Sequence, residues 1–172
     1  ALVLAVPEEL GRRAIERQRH LLARLEPGLL DRGHDEIERR AGKSIVAIFA
    51  GEGEPAFREL ESEVVADVCK LKRHVVALGG GAVMSEVNRT AVRLAGFVIW
   101  LKASVETLAQ RLAADESTET RRPNLTSSGG LSEMETVLAT REPIYRSCAT
   151  LEVDTEGKTP AAIADEILKR FE

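Results

Sequence analysis

Three consecutive glycines, Gly79, Gly80 and Gly81, follow directly after the apolar residues 75–78. The apolar run predicts a buried strand of a parallel sheet, so the glycines stand at the carboxyl end of that strand. Because glycine has no Cβ, its backbone N–H groups can come close to a bound molecule. Three glycines in succession also raise the entropy cost of folding beyond what a tight turn requires. We therefore predict that this turn contacts a ligand.

An arginine and a glutamate with helical spacing form a second candidate. Arg58 and Glu61 belong to the segment GEGEPAFRELE, residues 51–61, and are three positions apart. At this spacing on a helix, the carboxylate can hold the guanidinium in one orientation. Exposed Arg–Glu pairs of the same spacing are also common as ordinary surface ion pairs. The spacing alone leaves both interpretations open.

Further arginines occur in a polar segment and in the helical segment after it. Arg121 and Arg122 lie within residues 115–130, and Arg141 lies in the pattern REPIY, residues 141–145. Taken singly, each is typical of a solvated surface charge. Combined with the glycine turn, they would form a cationic clamp of the kind that phosphoryl transfer uses.

Composition excludes several classes of protein. The chain has 172 residues, which fits one domain, and a net charge of −4 gives no general reason to bind nucleic acid or an anionic membrane. No apolar run approaches the roughly 20 residues that span a bilayer. The first six residues lack the basic start of a signal peptide. The two cysteines, Cys69 and Cys148, match neither a disulfide scaffold nor a zinc site. We predict a cytoplasmic protein.

The order of the predicted elements indicates the fold class. Continuous apolar runs predict buried strands, and apolar residues at helical spacing predict helices between them. This alternation implies an α/β protein with a parallel sheet covered on both faces. The strands are predicted at residues 2–6, 75–78, 97–101 and 150–153, and the clearest helices at 44–50, 57–71, 86–95, 104–112 and 131–148, with a final helix that contains residues 163–171.

One long segment has no periodic pattern. Residues 115–130 are polar and rich in Thr, Ser, Arg, Pro and Gly. A loop of this length inside a compact domain is usually functional. We predict that it forms a mobile lid.

Taken in order, these patterns are familiar. From residue 36 onward the chain contains EIE, AGKSI, IF, GEPAFRELE, ALGGGAV, WL, RP, REPIY and DT, without large gaps. This series resembles shikimate kinase over about four fifths of the chain. GEPAFRELE followed by a strand and GGGAV is the most specific part.

The resemblance implies a fold and an activity. It implies a three-layer α/β/α fold of the P-loop nucleoside monophosphate kinase type, with a five-stranded parallel sheet. Residues 1–172 would form one kinase-like domain, with a substrate-binding subdomain at about 34–62 and a lid at about 115–130. The activity would transfer the γ-phosphoryl group of ATP, with Mg²⁺, to the 3-hydroxyl of shikimate in aromatic amino acid biosynthesis. Its partner would be this small molecule, with no nucleic acid or membrane, and the protein would be a monomer.

The resemblance also implies roles for individual residues. Arg58 and Arg141 would hold the shikimate carboxylate, and Glu61 would orient Arg58. Gly79, Gly80 and Gly81 would contact the substrate, and Phe49 and Phe57 would form walls of its pocket. Arg122 would contact the ATP phosphates and the phosphoryl group in transfer. Arg111 and Pro160 would pack against adenine.

The first 35 residues depart from the pattern of the family. Where the family has the phosphate-binding motif GxxxxGK[ST], residues 6–13 read VPEELGRR, with no lysine. The two aspartates of the family's DxD motif would fall at Arg32 and His34, while Asp31 and Asp35 are each displaced by one position. His34 could act as a base, although a lone histidine near the start of a helix often has no such role. The matching residues begin abruptly, which leaves open both a true divergence and a shifted reading frame over residues 7–34.

Two alternatives to an active shikimate kinase remain. The first is a pseudokinase or ligand-binding module that keeps Arg58, Arg141 and the glycine turn but does not bind ATP productively. The second is a kinase of the same fold for another polyol acid, such as gluconate. GEPAFRELE together with Arg141 favours shikimate over that second alternative.

Overall fold

A four-stranded sheet forms the centre of the described structure. The computed structural model describes residues 2–6 by their backbone, and residues 34, 36–70, 76–114 and 130–170 in full. The strands are β1 (Leu2–Val6), β2 (Val76–Leu78), β3 (Phe97–Lys102) and β4 (Leu151–Asp154), in the spatial order β2-β1-β3-β4. β3 and β4 are parallel, while β1 is antiparallel to both β2 and β3. β2, β3 and β4 therefore run in one direction, and their carboxyl ends share one edge of the sheet.

This sheet corrects the expectation that all strands run parallel, whereas the predicted fifth strand is not tested by the described residues. Within the described residues it has four strands, and β1 is reversed, with Val3 paired to Leu78 on one side and to Trp100 on the other. The physical reason lies in the composition of β1. A strand that is apolar at every position can be buried in either direction, so its sequence carries no signal for polarity. The coarser prediction of an α/β fold is confirmed.

Seven helices in the described ranges surround the sheet. Six of them were predicted, although the helix of residues 53–68 begins four residues before its predicted start, and the helix of residues 36–41 was not predicted. Ser44 and Ser104 act as N-caps, because their side chains accept hydrogen bonds from Ala47 N and Thr107 N at 3.2 and 3.1 Å. The helices are α1 (residues 36–41), α2 (Ile45–Gly51), α3 (Gly53–Val68), α4 (Glu86–Ala95), α5 (Val105–Ala113), α6 (Gly130–Cys148) and α7 (Pro160–Lys169).

Side chains from both faces of the sheet are buried. On β3, Ile99 and Leu101 pack with α7, whereas Val98 and Trp100 pack on the other face. That second face is covered by apolar side chains of α3, α4 and α6, including Tyr145 and Cys148. The continuous apolar pattern of β3 thus reflects a strand covered on both faces.

A separate apolar cluster lies beside the sheet. It consists of Ile37, Ile45, Ile48, Phe57 and Val64, so α1, α2 and α3 share it. This cluster fixes the part of α3 that carries Arg58 and Glu61. No helix in the described ranges is both long and apolar enough to cross a membrane. Residues 115–129 of the predicted lid lie outside the described part of the chain.

Candidate functional site

The glycine turn begins where β2 ends, at the sheet edge shared by the carboxyl ends of β2, β3 and β4. Ala82 N donates a hydrogen bond to Gly79 O, and Met84 N donates to Gly81 O, each at 3.0 Å. A short 3₁₀ helix, Ala82–Met84, completes the turn. The predicted position of the glycines at the carboxyl end of a buried strand is therefore confirmed.

Side chains of α4 hold the rest of the turn. Asn88 Nδ2 donates to Ala82 O at 2.9 Å, and Arg89 Nη1 donates to Val83 O and Met84 O at 2.9 and 2.8 Å. Each of these carbonyls would otherwise need another partner, since backbone acceptors are costly to leave unpaired when buried. The turn is thus fixed by the helix that follows it.

Close approach requires a glycine at Gly81, whereas unusual backbone angles do not, since neither Gly79 nor Gly81 has a positive φ. A Cβ added at Gly81 would lie only 3.0 Å from Arg58 Nη1, and one at Gly79 would lie 3.8 Å from His34 Nε2. The missing side chain of Gly81 therefore makes room for Arg58 at one end of the turn, and Gly79 lies next to His34 at the other end.

Carboxylates surround Arg58 on α3. Its Nη1 donates to Glu61 Oε2 at 2.7 Å, while Nε and Nη2 both donate to Glu54 Oε1 at 3.1 and 3.0 Å. Burial works to lower the pKa of Arg58, but the hydrogen bonds and charges of Glu61 and then Glu54 outweigh it, so the pKa lies above its usual value. Arg58 is a fixed cation, as an anion-binding site requires.

Phe57 lies beside Arg58, and Phe49 packs against Phe57. The rings of Phe49 and Phe57 are tilted with centroids 4.8 Å apart, and Arg58 Cζ lies 5.2 Å from the Phe57 centroid. Phe57 is buried, whereas Phe49 is partly buried. The aromatic residues predicted to wall the pocket thus lie next to the predicted carboxylate ligand.

Helix α6 meets the glycine turn through Tyr145, one helical turn after Arg141. The Tyr145 hydroxyl donates to Gly80 O at 2.9 Å. Burial raises the pKa of Tyr145, and the charge and hydrogen bond of Arg141 lower it in part. The hydrogen bond of Tyr145 thus ties the helix that carries Arg141 to the glycine turn.

Arg111 and Pro160 lie along the same sheet edge, beyond β3 and β4. Arg111 Nη1 donates to Thr155 Oγ1 at 2.9 Å and Nη2 donates to Thr155 O at 2.8 Å. Thr155 Oγ1 in turn donates to Lys102 O at 2.7 Å. Pro160 is exposed at the first position of α7. Adenine packing by these two residues stays a prediction.

Some predicted site residues fall outside the described residues. Arg122 belongs to residues 115–129, and residues 7–13 belong to the segment where the family has its phosphate-binding loop. Among the residues that the structure does describe, no group of three His, Cys, Asp or Glu side chains is arranged to hold a metal ion.

Three contacts were not anticipated from the sequence. The Glu54–Arg58 pair had a usable signal, because the two residues are four apart on one helix. The sequence signal for the Tyr145 contact was weaker: Tyr145 lies four residues after Arg141 on the same helix face. The sequence contained no signal for the Asn88 contact, because the partner of Asn88 is a backbone carbonyl in a turn whose position depends on the fold.

Comparison with known proteins identifies relatives over almost the whole chain. The family model described as shikimate kinase matches residues 19–172. The shikimate kinase of Pseudomonas putida is 42% identical over 172 residues, covering 99% of this chain and 95% of that protein. The shikimate kinase of Rhodopirellula baltica is 42% identical over 135 residues, covering 78% of this chain and 72% of that protein.

Solved structures lead to the same family. Shikimate kinase from Acinetobacter baumannii, in complex with shikimate, is 28% identical with a TM-score of 0.74, covering 93% of this chain and 88% of that one. Shikimate kinase from Aquifex aeolicus is 27% identical with a TM-score of 0.64, covering 95% and 90%. Sequence motifs, fold and relatives agree, and the chain belongs to the shikimate kinase family.

Proposed function

We propose that this chain acts as a shikimate kinase whose acceptor site is the glycine turn, with Arg58 and Arg141 as ligands of the shikimate carboxylate. One observation carries the proposal. Arg58 lies against Gly81, and α6, the helix that carries Arg141, is tied to Gly80 by the hydroxyl of Tyr145. The helices that carry the two arginines therefore meet at neighbouring residues of one turn. The shikimate complex of the Acinetobacter baumannii relative supports shikimate as the acceptor.

The surroundings of Arg58 suit recognition of a carboxylate. A planar guanidinium binds a carboxylate with two parallel hydrogen bonds, and such charge-assisted bonds are stronger than neutral ones. Glu61 is buried, with 7% of its surface exposed, and its hydrogen bond orients Arg58 from within the protein. Phe57 restricts water on the ring side. Glu61 thus acts as a positioning residue and Arg58 as the ligand.

The hydroxyl groups of the acceptor would face the other end of the turn. Gly79 is bordered there by His34, whose Nε2 is 3.8 Å from the position of an added Cβ. An imidazole nitrogen can donate to or accept from a substrate hydroxyl. His34 would therefore take over the hydroxyl contact that the family assigns to an aspartate at this position.

ATP would supply the phosphoryl group in this family, but the residues after β1 do not fit its phosphates. Val6, the last residue of β1, pairs with Phe97, the first residue of β3, so the chain leaves β1 at the sheet edge opposite the glycine turn. Residues 7–9 are Pro, Glu and Glu, and no lysine follows in residues 6–13. Proline lacks an N–H, and glutamates oppose a polyphosphate. Residues 6–13 therefore lack the chemistry of a phosphate-binding loop.

These same residues favour one second candidate function. A ligand-binding module that holds shikimate without productive ATP binding needs the acceptor site alone. Titration calorimetry with shikimate and with MgATP separately, together with an assay for ATP-dependent phosphorylation of shikimate, distinguishes the two. A kinase binds both and turns over, whereas the module binds shikimate alone. Failure to bind shikimate would refute both functions.

A further inference from the structure

The carboxylate of Glu54 occupies the face of Arg58 that a ligand would use. Arg58 has five N–H donors arranged on a planar fork. Nε and Nη2 donate to the same Glu54 oxygen at 3.1 and 3.0 Å, and Nη1 donates to Glu61 at 2.7 Å. The Nη1 and Nη2 side lies against Gly81, 3.0 and 3.4 Å from the position of a Cβ there. The edge formed by Nε and Nη2 is thus the one where a second carboxylate has room, and Glu54 holds it.

The two glutamates differ in how firmly they are placed. The side chain of Glu61 is 9% exposed, whereas that of Glu54 is 60% exposed. A buried carboxylate loses a great deal when its only cation is removed, while an exposed one is readily hydrated. Glu54 can therefore leave Arg58 for water, and Glu61 cannot leave at comparable cost.

We propose that Glu54 is a placeholder for the substrate carboxylate, which must release Arg58 before an anionic acceptor can bind. The inference rests on the proposed function, because it takes shikimate as the occupant. Glu54 keeps the guanidinium oriented in the empty site and competes with the incoming carboxylate for it. Only molecules in which Glu54 has left Arg58 can bind the ligand. The apparent affinity is therefore the intrinsic affinity multiplied by the fraction of such molecules.

The test compares Glu54→Gln and Glu54→Ala with wild type by titration calorimetry and stopped-flow binding of shikimate. Exposed ion pairs are weak, so we expect the affinity for shikimate to rise about two- to fivefold, mainly through a faster association rate. Glu59→Gln is the matched control. It removes the same charge from the same helix, and adjacent helical residues do not face each other. Methyl shikimate, which lacks the anionic carboxylate, should show no gain with either Glu54 variant.

Three results would overturn the inference: unchanged or weaker shikimate binding in both Glu54 variants, an equal gain in Glu59→Gln, or an equal gain for methyl shikimate. The Nε–H resonance of Arg58 gives a readout that needs no ligand, and it should shift in Glu54→Gln but not in Glu59→Gln. If wild type fails to bind shikimate, the proposed function fails. A shifted Arg58 resonance would then still support Glu54 as the occupant of that edge, and an unshifted one would refute it.

Discussion

The hydroxyl of Tyr145 donates a hydrogen bond of 2.9 Å to the carbonyl oxygen of Gly80, joining residues 65 positions apart. This bond ties α6, which carries Arg141, to the turn that Arg58 approaches from α3. The turn is therefore the common point of two helices that are distant in sequence. Its geometry should affect both the stability of the fold and the affinity for an anionic acceptor.

Tyr145→Phe should weaken both properties. The substitution keeps the ring in the apolar cluster but leaves the Gly80 carbonyl without this donor. We expect the free energy of unfolding to fall by about 1 kcal/mol, as is typical for one lost hydrogen bond. Urea unfolding measures this change, and shikimate calorimetry should show weaker binding. Unchanged values of both would mean that this bond contributes nothing to the site.

Truncation of the arginines tests the carboxylate clamp. Arg58→Ala and Arg141→Ala each remove a charge-assisted pair, worth on the order of 2–4 kcal/mol of binding in a closed site. Shikimate affinity should fall about tens- to hundreds-fold. Arg58→Ala should also lower the stability of the fold, because it leaves the buried carboxylate of Glu61 without this cation. Arg146→Ala, on the same helix as Arg141 but 54% exposed, is the control. Equal binding by wild type and Arg58→Ala would remove the assignment of Arg58.

A methyl group at Gly81 should displace Arg58. The added Cβ of Gly81→Ala would be 3.0 Å from Nη1, which is too close, although the flexible end of the arginine can move away. We therefore expect a shifted Arg58 Nε–H resonance and at least about tenfold weaker shikimate binding, equivalent to 1.4 kcal/mol. Gly79→Ala is the matched control for Arg58, because its added Cβ is an ordinary 3.8 Å from His34. An unshifted Arg58 resonance in Gly81→Ala would contradict the close approach.

Glu36 should make stability depend on pH in acid. Hydrogen bonds from Arg39 and then Arg40 lower the pKa of Glu36 from 4.5 to about 2. A carboxyl group whose pKa is depressed on folding contributes stability that is complete above its unfolded pKa and is lost as the pH falls through its folded pKa. We expect this contribution to disappear between about pH 4.5 and pH 2. Urea unfolding measured across that range should show that the free energy of unfolding depends less steeply on pH in Glu36→Gln than in Glu59→Gln.

The sequence after β1 leads us to expect weak nucleotide binding. Phosphate binding at a strand-to-helix turn needs free backbone N–H groups, a favourable helix dipole and a lysine. Residues 6–13 offer Pro7, Glu8 and Glu9 instead. We expect MgATP to bind at least about 100-fold more weakly than to a P-loop kinase, a loss of roughly 2.7 kcal/mol. Micromolar binding in calorimetry, or turnover at an ordinary kinase rate of about 1–100 s⁻¹, would show that phosphates are held some other way.

The sequence by itself determined the helices, the buried strand before the glycine turn and the family. These properties depend on local patterns. Ser104 precedes a helix because its hydroxyl accepts a hydrogen bond from Thr107 N in the first turn, and residues 98–101 are buried because each is apolar. The pairing of Arg58 with Glu61 also followed from helical spacing, since partners three residues apart meet whatever surrounds them.

Tertiary structure alone decided the direction of β1 and the contacts across the glycine turn. A strand that is apolar throughout is buried equally well in both directions, so only pairing with β2 and β3 sets its polarity. The partners Tyr145 and Gly80, and likewise Arg111 and Thr155, are 65 and 44 residues apart. No local pattern specifies such pairs, because they form only when the topology brings helices to the shared carboxyl edge of β2, β3 and β4.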